Sequence, residues 1–229
     1  MSELLIVLPF CANDGVIAEH LCDYIFLLNK RVKKYHALLV ADSDTHGEMR
    51  EKVKIAAEVA FESVELIQAP VVVSPDKNLR INRTFMAAAE HIAKAYRMPW
   101  FWMEPDCVPL AKNWFDKITD KYFDQPKRYA GSFFLTKDAA GKDAFMMARV
   151  SCYPTNAIDD LKSFLSIQSP FHVTSGLAIT PRATKTRLVQ EAPVKDEYFN
   201  PMEGVVMVHG DKHSILLAKL REQLETNGK

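Results

Sequence analysis

The sequence predicts an α/β fold in which a mostly parallel central sheet carries helices on both faces. Three observations lead there. From Leu4 to Leu135, short β-rich apolar runs alternate with longer segments of helical periodicity, the sequence form of consecutive βαβ units. The first run, Leu4-Leu5-Ile6-Val7-Leu8, is apolar throughout, as a strand covered on both faces must be. Three of the strand ends are followed by polar clusters, and open parallel sheets bind ligands beyond the carboxyl ends of their strands.

The elements follow in order. Pro9 closes the first strand, and Asn13-Asp14-Gly15 is a turn signal. Ile17 to Leu28 sets Leu21, Tyr24, Ile25 and Leu28 on one helical face. Tyr35 to Val40 predicts a second strand, closed by Asp42-Ser43-Asp44-Thr45. A helix from Gly47 to Phe61 and a strand from Val64 to Ile67 come next, then a loop from Pro70 to Asp76 and an Ala-rich helix from Asn82 to Tyr96. Trp100 to Met103 predicts an aromatic fourth strand, Lys112 to Phe123 a helix and Tyr129 to Leu135 a fifth strand. Thr136 to Ala144 reads as polar and flexible. Beyond it, Pro154, Pro170, Pro181, Pro193 and Pro201 cut the chain into short pieces before a last helix from Ser214 to Leu224. No repeat, low-complexity tract or linker interrupts the chain, so residues 1–229 read as one domain.

Composition narrows the function classes. Hydrophobic residues make up 48% and charged residues 25%, an ordinary globular mix. The 29 Lys+Arg cancel the 29 Asp+Glu, so no overall field selects a polyanionic partner. Cys11, Cys22, Cys107 and Cys152 include no Cys-x-x-Cys pair. That argues against a zinc knuckle or a disulfide framework and fits a reducing, cytoplasmic compartment. The N-terminal apolar run is too short for a signal-peptide core, and no stretch reaches the ~18 apolar residues of a membrane span.

Chemistry concentrates at the strand ends. Glu104-Pro105-Asp106 leaves the aromatic strand, and acids spaced i, i+2 on extended backbone share one side. Like charges held that close raise each other's pKa unless a cation joins them, and a hard divalent ion with oxygen ligands resolves the conflict. The alternative is a surface turn with Pro at its second position and both acids in water.

Together these motifs resemble a GT-A glycosyltransferase, and the first half is similar to the large family 2. Members begin with a strand ending in a proline and then an asparagine, as in Val7-Leu8-Pro9-Phe10-Cys11-Ala12-Asn13. Their second strand ends in an acidic turn, which Ala41-Asp42-Ser43-Asp44-Thr45 resembles. A helix opening with Arg and Asn follows, as in Arg80-Ile81-Asn82-Arg83, and then an Asp-x-Asp metal motif, for which this chain has Glu104-Pro105-Asp106. The leading Glu departs from the pattern. The resemblance spans about residues 4–110. It implies a nucleotide-sugar-binding half over about 1–110 and an acceptor-side half over about 111–229. It also implies that Pro9, Asn13, Asp42, Asp44, Arg80 and Arg83 face the donor, and that Glu104 and Asp106 hold a divalent metal, Mn2+ or Mg2+.

Later features extend the resemblance. His209-Gly210-Asp211-Lys212 is similar to the late histidine, glycine and lysine that several GT-A families use for the metal and the diphosphate. The spacing is shorter than in the glycogenin-like version, and a plain turn before the last helix is the alternative. Asp196-Glu197 sits where inverting members of family 2 place an acidic pair, one carboxylate of which takes the acceptor proton. A solvated acidic turn is the alternative there. Ser175-Gly176 reads as a close backbone approach near the donor sugar, or as a strand glycine marking a bulge. His172 reads as structural or as an acceptor contact.

The implied activity is metal-dependent transfer from a nucleotide sugar, by resemblance a uridine diphosphate sugar, to a hydroxyl. The acceptor stays open among a glycan, a protein, a small molecule and a hydroxymethylated base of viral DNA. Arg182, Lys185 and Arg187 form a local basic cluster that reads as a solvated face or, if the acceptor is DNA, as the group that neutralises its phosphates. Two readings of another class remain: a sugar nucleotidyltransferase and a non-catalytic nucleotide-binding module. The former usually opens with a Gly-rich basic loop, whereas Phe10 to Gly15 has one glycine and no basic residue.

Overall fold

The computed structural model describes residues 3–71, 76–137, 142–165 and 170–227. It begins with β1 (Leu5–Phe10), α1 (Gly15–Leu28), β2 (His36–Ala41), α2 (Gly47–Ala60), β3 (Ser63–Gln68), α3 (Lys77–Ala95) and β4 (Trp100–Trp102). Then come β5 (Cys107–Pro109), α4 (Trp114–Phe123), β6 (Tyr129–Lys137), β7 (Asp143–Tyr153) and α5 (Ala157–Leu165). One-turn helices α6 (Phe171–Thr174) and α7 (Gly176–Ile179) lead to β8 (Ala183–Lys185), β9 (Val189–Glu191), β10 (Met207–His209) and α8 (Ile215–Asn227).

Seven strands form one sheet in the order β3-β2-β1-β4-β7-β6-β8, and β5-β10-β9 form a second. The first four are parallel. β7 runs antiparallel to β4 and β6, and β8 pairs parallel with β6. The chain order reverses at β1, with β2 on one side and β4 on the other. Such a switch point opens a crevice at the carboxyl edge of the sheet.

β1 is buried at every position. Leu4, Ile6, Leu8 and Phe10 pack with Leu21 of α1, Ala57 of α2, Ile118 of α4 and Leu217 of α8. Leu5 and Val7 pack on the other face with Phe85 of α3 and Leu161 of α5. Full burial on both faces explains why this strand shows no alternation in its sequence.

The structure corrects several sequence expectations. Pro9 does not end β1 but lies inside it, opposite Val40 of β2. Met103 N donates to Val7 O on the β4 side. Pro9 faces that same side two residues on, past the last β1–β4 partners Val7 and Trp102, where no ladder bond asks for its missing N–H. α3 begins at Lys77, earlier than expected, because the Asp76 side chain accepts from Asn78 N and Leu79 N and caps it. The expected loop 70–76 lies partly outside the described residues.

The largest departure is the β6–β7 hairpin. Residues expected to be flexible include strand up to Lys137 and again from Asp143; 138–141 are outside the described residues. β7 contains Phe145-Met146-Met147-Ala148, a run without β-branched residues, yet it pairs along β6, and the strand goes on to pair with β4 at Cys152 and Tyr153. Tertiary pairing has overridden weak local preference. Gly131 of β6 lets the hairpin close: a Cβ there would lie 1.8 Å from Ser151 Oγ.

Candidate active site

Pro105 sits at the second position of a turn in which Cys107 N donates to Glu104 O at 3.0 Å. The expected extended geometry is therefore replaced by a β-turn. The turn does not, however, release the acids into water. Glu104, Asp106 and His209 each offer a ligand atom within 4.8 Å of the others, and their side chains are only 14%, 14% and 17% exposed. His209 arrives because β10 pairs antiparallel with β5 and sets it opposite Cys107. Gly210 N and Asp211 N then donate to Asp106 O at 3.2 and 3.0 Å. Gly210 has φ +116°, and a Cβ there would lie 2.6 Å from Ala192 O, so glycine is required twice over. Asp211 is buried, and its carboxylate accepts from Ile215 N and Leu217 N at 2.8 and 2.9 Å, anchoring the start of α8.

Electrostatics sharpen this cluster. Arg149 of β7 clamps Glu104, with Nε 2.5 Å from Oε1 and Nη2 donating to Oε2 at 2.9 Å. Trp102 Nε1 donates to Oε1 at 3.3 Å, and His209 Nε2 lies 3.1 Å from Oε2. Burial disfavours the Glu104 charge, but Arg149, His209 and Trp102 outweigh it and hold the carboxyl well below its usual range. Burial likewise disfavours a charged His209, and Asp106, Glu104 and Glu191 outweigh it, pushing its pKa far upward. His209 Nδ1 meets Glu191 Oε2 at 2.6 Å, and His209 and Glu191 are register partners on the parallel strands β10 and β9. Asp14, whose carboxylate accepts from Cys11 N at 2.6 Å, has its pKa raised by burial, with Glu104 and Asp106 adding repulsion. Burial, with Arg149 beside it, lowers His172 to about 4.

A second cluster forms at the end of β2. Thr45 N donates to Asp42 O at 3.0 Å, closing the acidic turn. Arg80 of α3 donates through Nη2 and Nε to Asp42 Oδ2 at 2.8 and 3.2 Å, and through Nη2 to Asp44. The turn and the helix thus come together as a charged corner on the carboxyl side of β2. Arg83 is half-buried one turn further along α3.

The remaining sequence candidates are spread more widely. Asn13 is exposed in the turn before α1, whereas Pro9 is buried. Ser175 is buried and donates to Phe171 O at 2.6 Å. Gly176 lies in α7 rather than in a strand, and a Cβ there would come within 2.4 Å of Met146 Sδ. The close approach is therefore to a β7 side chain. Lys212 is exposed just beyond His209. Asp196 and Glu197 are exposed on the loop between β9 and β10, where Asp196 Oδ1 accepts from Tyr198 N and Glu197 O from Lys219 Nζ. Arg182 is paired with Asp160 at 3.0 Å, while Lys185 lies over the Phe145 ring.

Sequence reasoning missed Glu191, Arg149 and the carboxylate role of Asp14. Arg149 carried a usable signal: a lone arginine within Met146-Met147-Ala148-Arg149-Val150 must find a partner if that run is buried. Glu191 lies on a three-residue strand, too short to show a period.

No family model matches the chain, and no curated protein matches it in sequence. Solved structures match in fold. The galactosyltransferase LgtC, in complex with donor and acceptor sugar analogues, superposes with a TM-score of 0.61 at 9% identity, over 98% of this chain and 96% of that one. The bifunctional glycosyltransferase WbbM matches 91% of this chain at a TM-score of 0.54 and 11% identity, and the glycosyltransferase GlyE of Streptococcus pneumoniae 99% at 0.52 and 9%. The chain spans 45% of the WbbM chain and 60% of the GlyE chain. The fold is thus the Rossmann-like GT-A type found in these glycosyltransferases. Among the described residues, no helix is long and apolar enough to cross a membrane.

Proposed function

We propose that this protein is a glycosyltransferase that moves a sugar from a nucleotide-sugar donor, a uridine diphosphate sugar, to a hydroxyl acceptor in the cytoplasm. The observation that carries the reading is the convergence of Glu104, Asp106 and His209 beyond the end of β4, beside the switch point of a GT-A-type sheet. Carboxylate oxygens and an imidazole nitrogen suit Mn2+ or Mg2+. Asp106 and His209 would hold the ion, with Glu104 as the third ligand once one of its present partners yields. When bound, it supplies positive charge that stabilises the departing nucleoside diphosphate.

The chain's own groups cover the other tasks. The Asp42–Asp44–Arg80 corner receives the nucleoside, with Arg83 one turn further along α3 and Asn13 and the end of β1 on the donor side. Lys212, exposed beyond His209, meets the diphosphate as a point charge. Ser175 and Gly176 shape the wall behind the sugar through α7. The acceptor oxygen attacks the anomeric carbon as the bond to the diphosphate oxygen breaks. Asp196 or Glu197 takes the acceptor proton, which requires the β9–β10 loop to bring an ionised carboxylate within hydrogen-bond reach.

A second reading keeps the chemistry and makes hydroxymethylated DNA the acceptor. It is favoured by Lys185 and Arg187, exposed at the β8 edge of the sheet, and weakened by the commitment of Arg182 to Asp160. Calorimetry with a panel of nucleotide sugars and Mn2+, followed by an assay for slow donor hydrolysis, tests the central reading. Metal-dependent binding and hydrolysis of one donor is the expected result. No binding of any nucleotide sugar would overturn it. Offering labelled donor with modified DNA and with glycans then separates the acceptors.

A further inference from the structure

We propose that Glu191 is the positioning residue of the metal centre, holding His209 in the tautomer whose Nε2 lone pair faces the cation. The inference rests on the reading of Asp106 and His209 as metal ligands and adds a residue that neither the motif nor the resemblance contains.

The argument starts from imidazole chemistry. A ring that binds a cation through one nitrogen carries its proton on the other, so whatever accepts that proton decides which nitrogen is free. His209 Nδ1 lies 2.6 Å from Glu191 Oε2, and a carboxylate can only accept. The proton therefore stays on Nδ1. Nε2 is the atom that points at the other two acids, 3.2 Å from Asp106 Oδ1 and 3.1 Å from Glu104 Oε2; without an ion it carries a proton towards them, and a bound cation would take that proton's place while Nδ1–H stays on Glu191. A carboxylate behind the ring also makes it a stronger donor.

Glu191 is built for this support rather than for ligation. Its carboxylate is not part of the group formed by Glu104, Asp106 and His209. It sits across the ring, fixed by the β9–β10 register that pairs it with His209. Among the described residues its second oxygen, Oε1, is buried without a hydrogen-bond partner, and Oε2 is the oxygen that meets His209 Nδ1. Without Glu191 the imidazole could rotate, which takes Nε2 away from Asp106, or change tautomer, which puts the proton on Nε2 and removes the lone pair a cation needs.

The test uses the purified protein without nucleotide and Mn2+ or Co2+ as the probe. Calorimetric titration of Mn2+ into the parent, Glu191→Ala, Glu191→Gln and His209→Gln proteins reads affinity, and the Co2+ absorption spectrum reads the coordinated nitrogen. Second-sphere carboxylates of this kind are worth about 10–100-fold in metal affinity. Glu191→Ala should weaken binding by that factor and alter the Co2+ spectrum. Glu191→Gln, whose amide oxygen still accepts from Nδ1, should fall between it and the parent. Unchanged affinity in Glu191→Ala overturns the proposal. If that variant does not fold, unchanged affinity in Glu191→Gln does so instead. Unchanged affinity in His209→Gln overturns it as well. Metal binding that follows this pattern in a protein that binds no nucleotide sugar would uphold Glu191 and remove the transferase reading, so the two fail separately.

Discussion

Arg149→Met isolates the interaction that keeps Glu104 ionised in a largely buried site. Methionine keeps much of the volume and stem of arginine while removing both contacts, at 2.5 and 2.9 Å. Removing one partner of a fully buried pair costs about 3–5 kcal/mol. Here the two side chains are 20% and 14% exposed, and water can reach the orphaned carboxylate, so the expected loss is about 3 kcal/mol. In a chain of this size each kcal/mol moves Tm by about 2–4 °C, which puts the variant roughly 6–12 °C below the parent. A second consequence is more diagnostic. In the parent, both Glu104 oxygens are already approached by Arg149, Trp102 and His209. The variant frees part of that carboxylate, so Mn2+ should stabilise it more than it stabilises the parent. A tenfold gain in affinity would appear as about 1.4 kcal/mol at saturating ion. Urea unfolding with chelator and with Mn2+, on both proteins, measures the two effects. A loss below about 1 kcal/mol, or equal stabilisation of the two proteins by Mn2+, would refute the reasoning.

Three further outcomes are expected. Asp106→Asn should abolish Mn2+-dependent donor binding in calorimetry; the turn should persist, because the Asp106 contacts to Gly210 and Asp211 use its backbone oxygen, while loss of the charged partner 3.2 Å from His209 Nε2 lowers the unfolding midpoint. Gly210→Ala should cost more than 1 kcal/mol in urea unfolding and weaken Mn2+ binding, since φ +116° and a Cβ 2.6 Å from Ala192 O both oppose a side chain; wild-type stability would contradict the geometry. The pH prediction concerns His172, whose folded pKa is lowered to about 4. Between about pH 6.5 and 4 the unfolded chain binds a proton that the fold does not, so stability must fall as pH drops through that window, by up to about 3 kcal/mol. His172→Phe should flatten that part of the stability–pH curve, and an unaltered slope would exclude His172 as its source.

The sequence made the parallel half of the fold legible because its signals are local. Leu4 to Leu8 must be doubly covered, and the helical face of Leu21, Tyr24, Ile25 and Leu28 is periodic. Asp42, Asp44 and Arg80 were singled out, and the structure joins them. The three-residue strands β5, β9 and β10 offered no period to read. β7 was hidden by methionine and alanine, whose strand conformation is imposed by pairing with β6. The turn at Glu104-Pro105-Asp106 shows how two opposed readings can each be half right. Its backbone is the turn that proline favours, but its carboxylates face inward because β10 covers them. Asp196 and Glu197 were chosen by resemblance, and their exposed loop supplies no buried partner that would have singled them out physically.

The order in which the chain is made gives the strand arrangement a temporal consequence. The Asp42–Asp44–Arg80 corner is complete once residue 80 has been synthesised. The other cluster draws on residues 104, 106, 149, 191 and 209, and it closes only when β10 pairs with β5 and α8 takes its anchor from Asp211. Because N-terminal segments emerge first at about 5–20 residues per second, a nascent chain contains the three residues of that corner several seconds before His209 exists. Partial products of translation, and fragments ending between β9 and β10, would therefore retain the residues of the Asp42–Asp44–Arg80 corner while lacking His209 of the other cluster. The carboxylate–histidine cluster is thus completed only when nearly the whole described chain has been made.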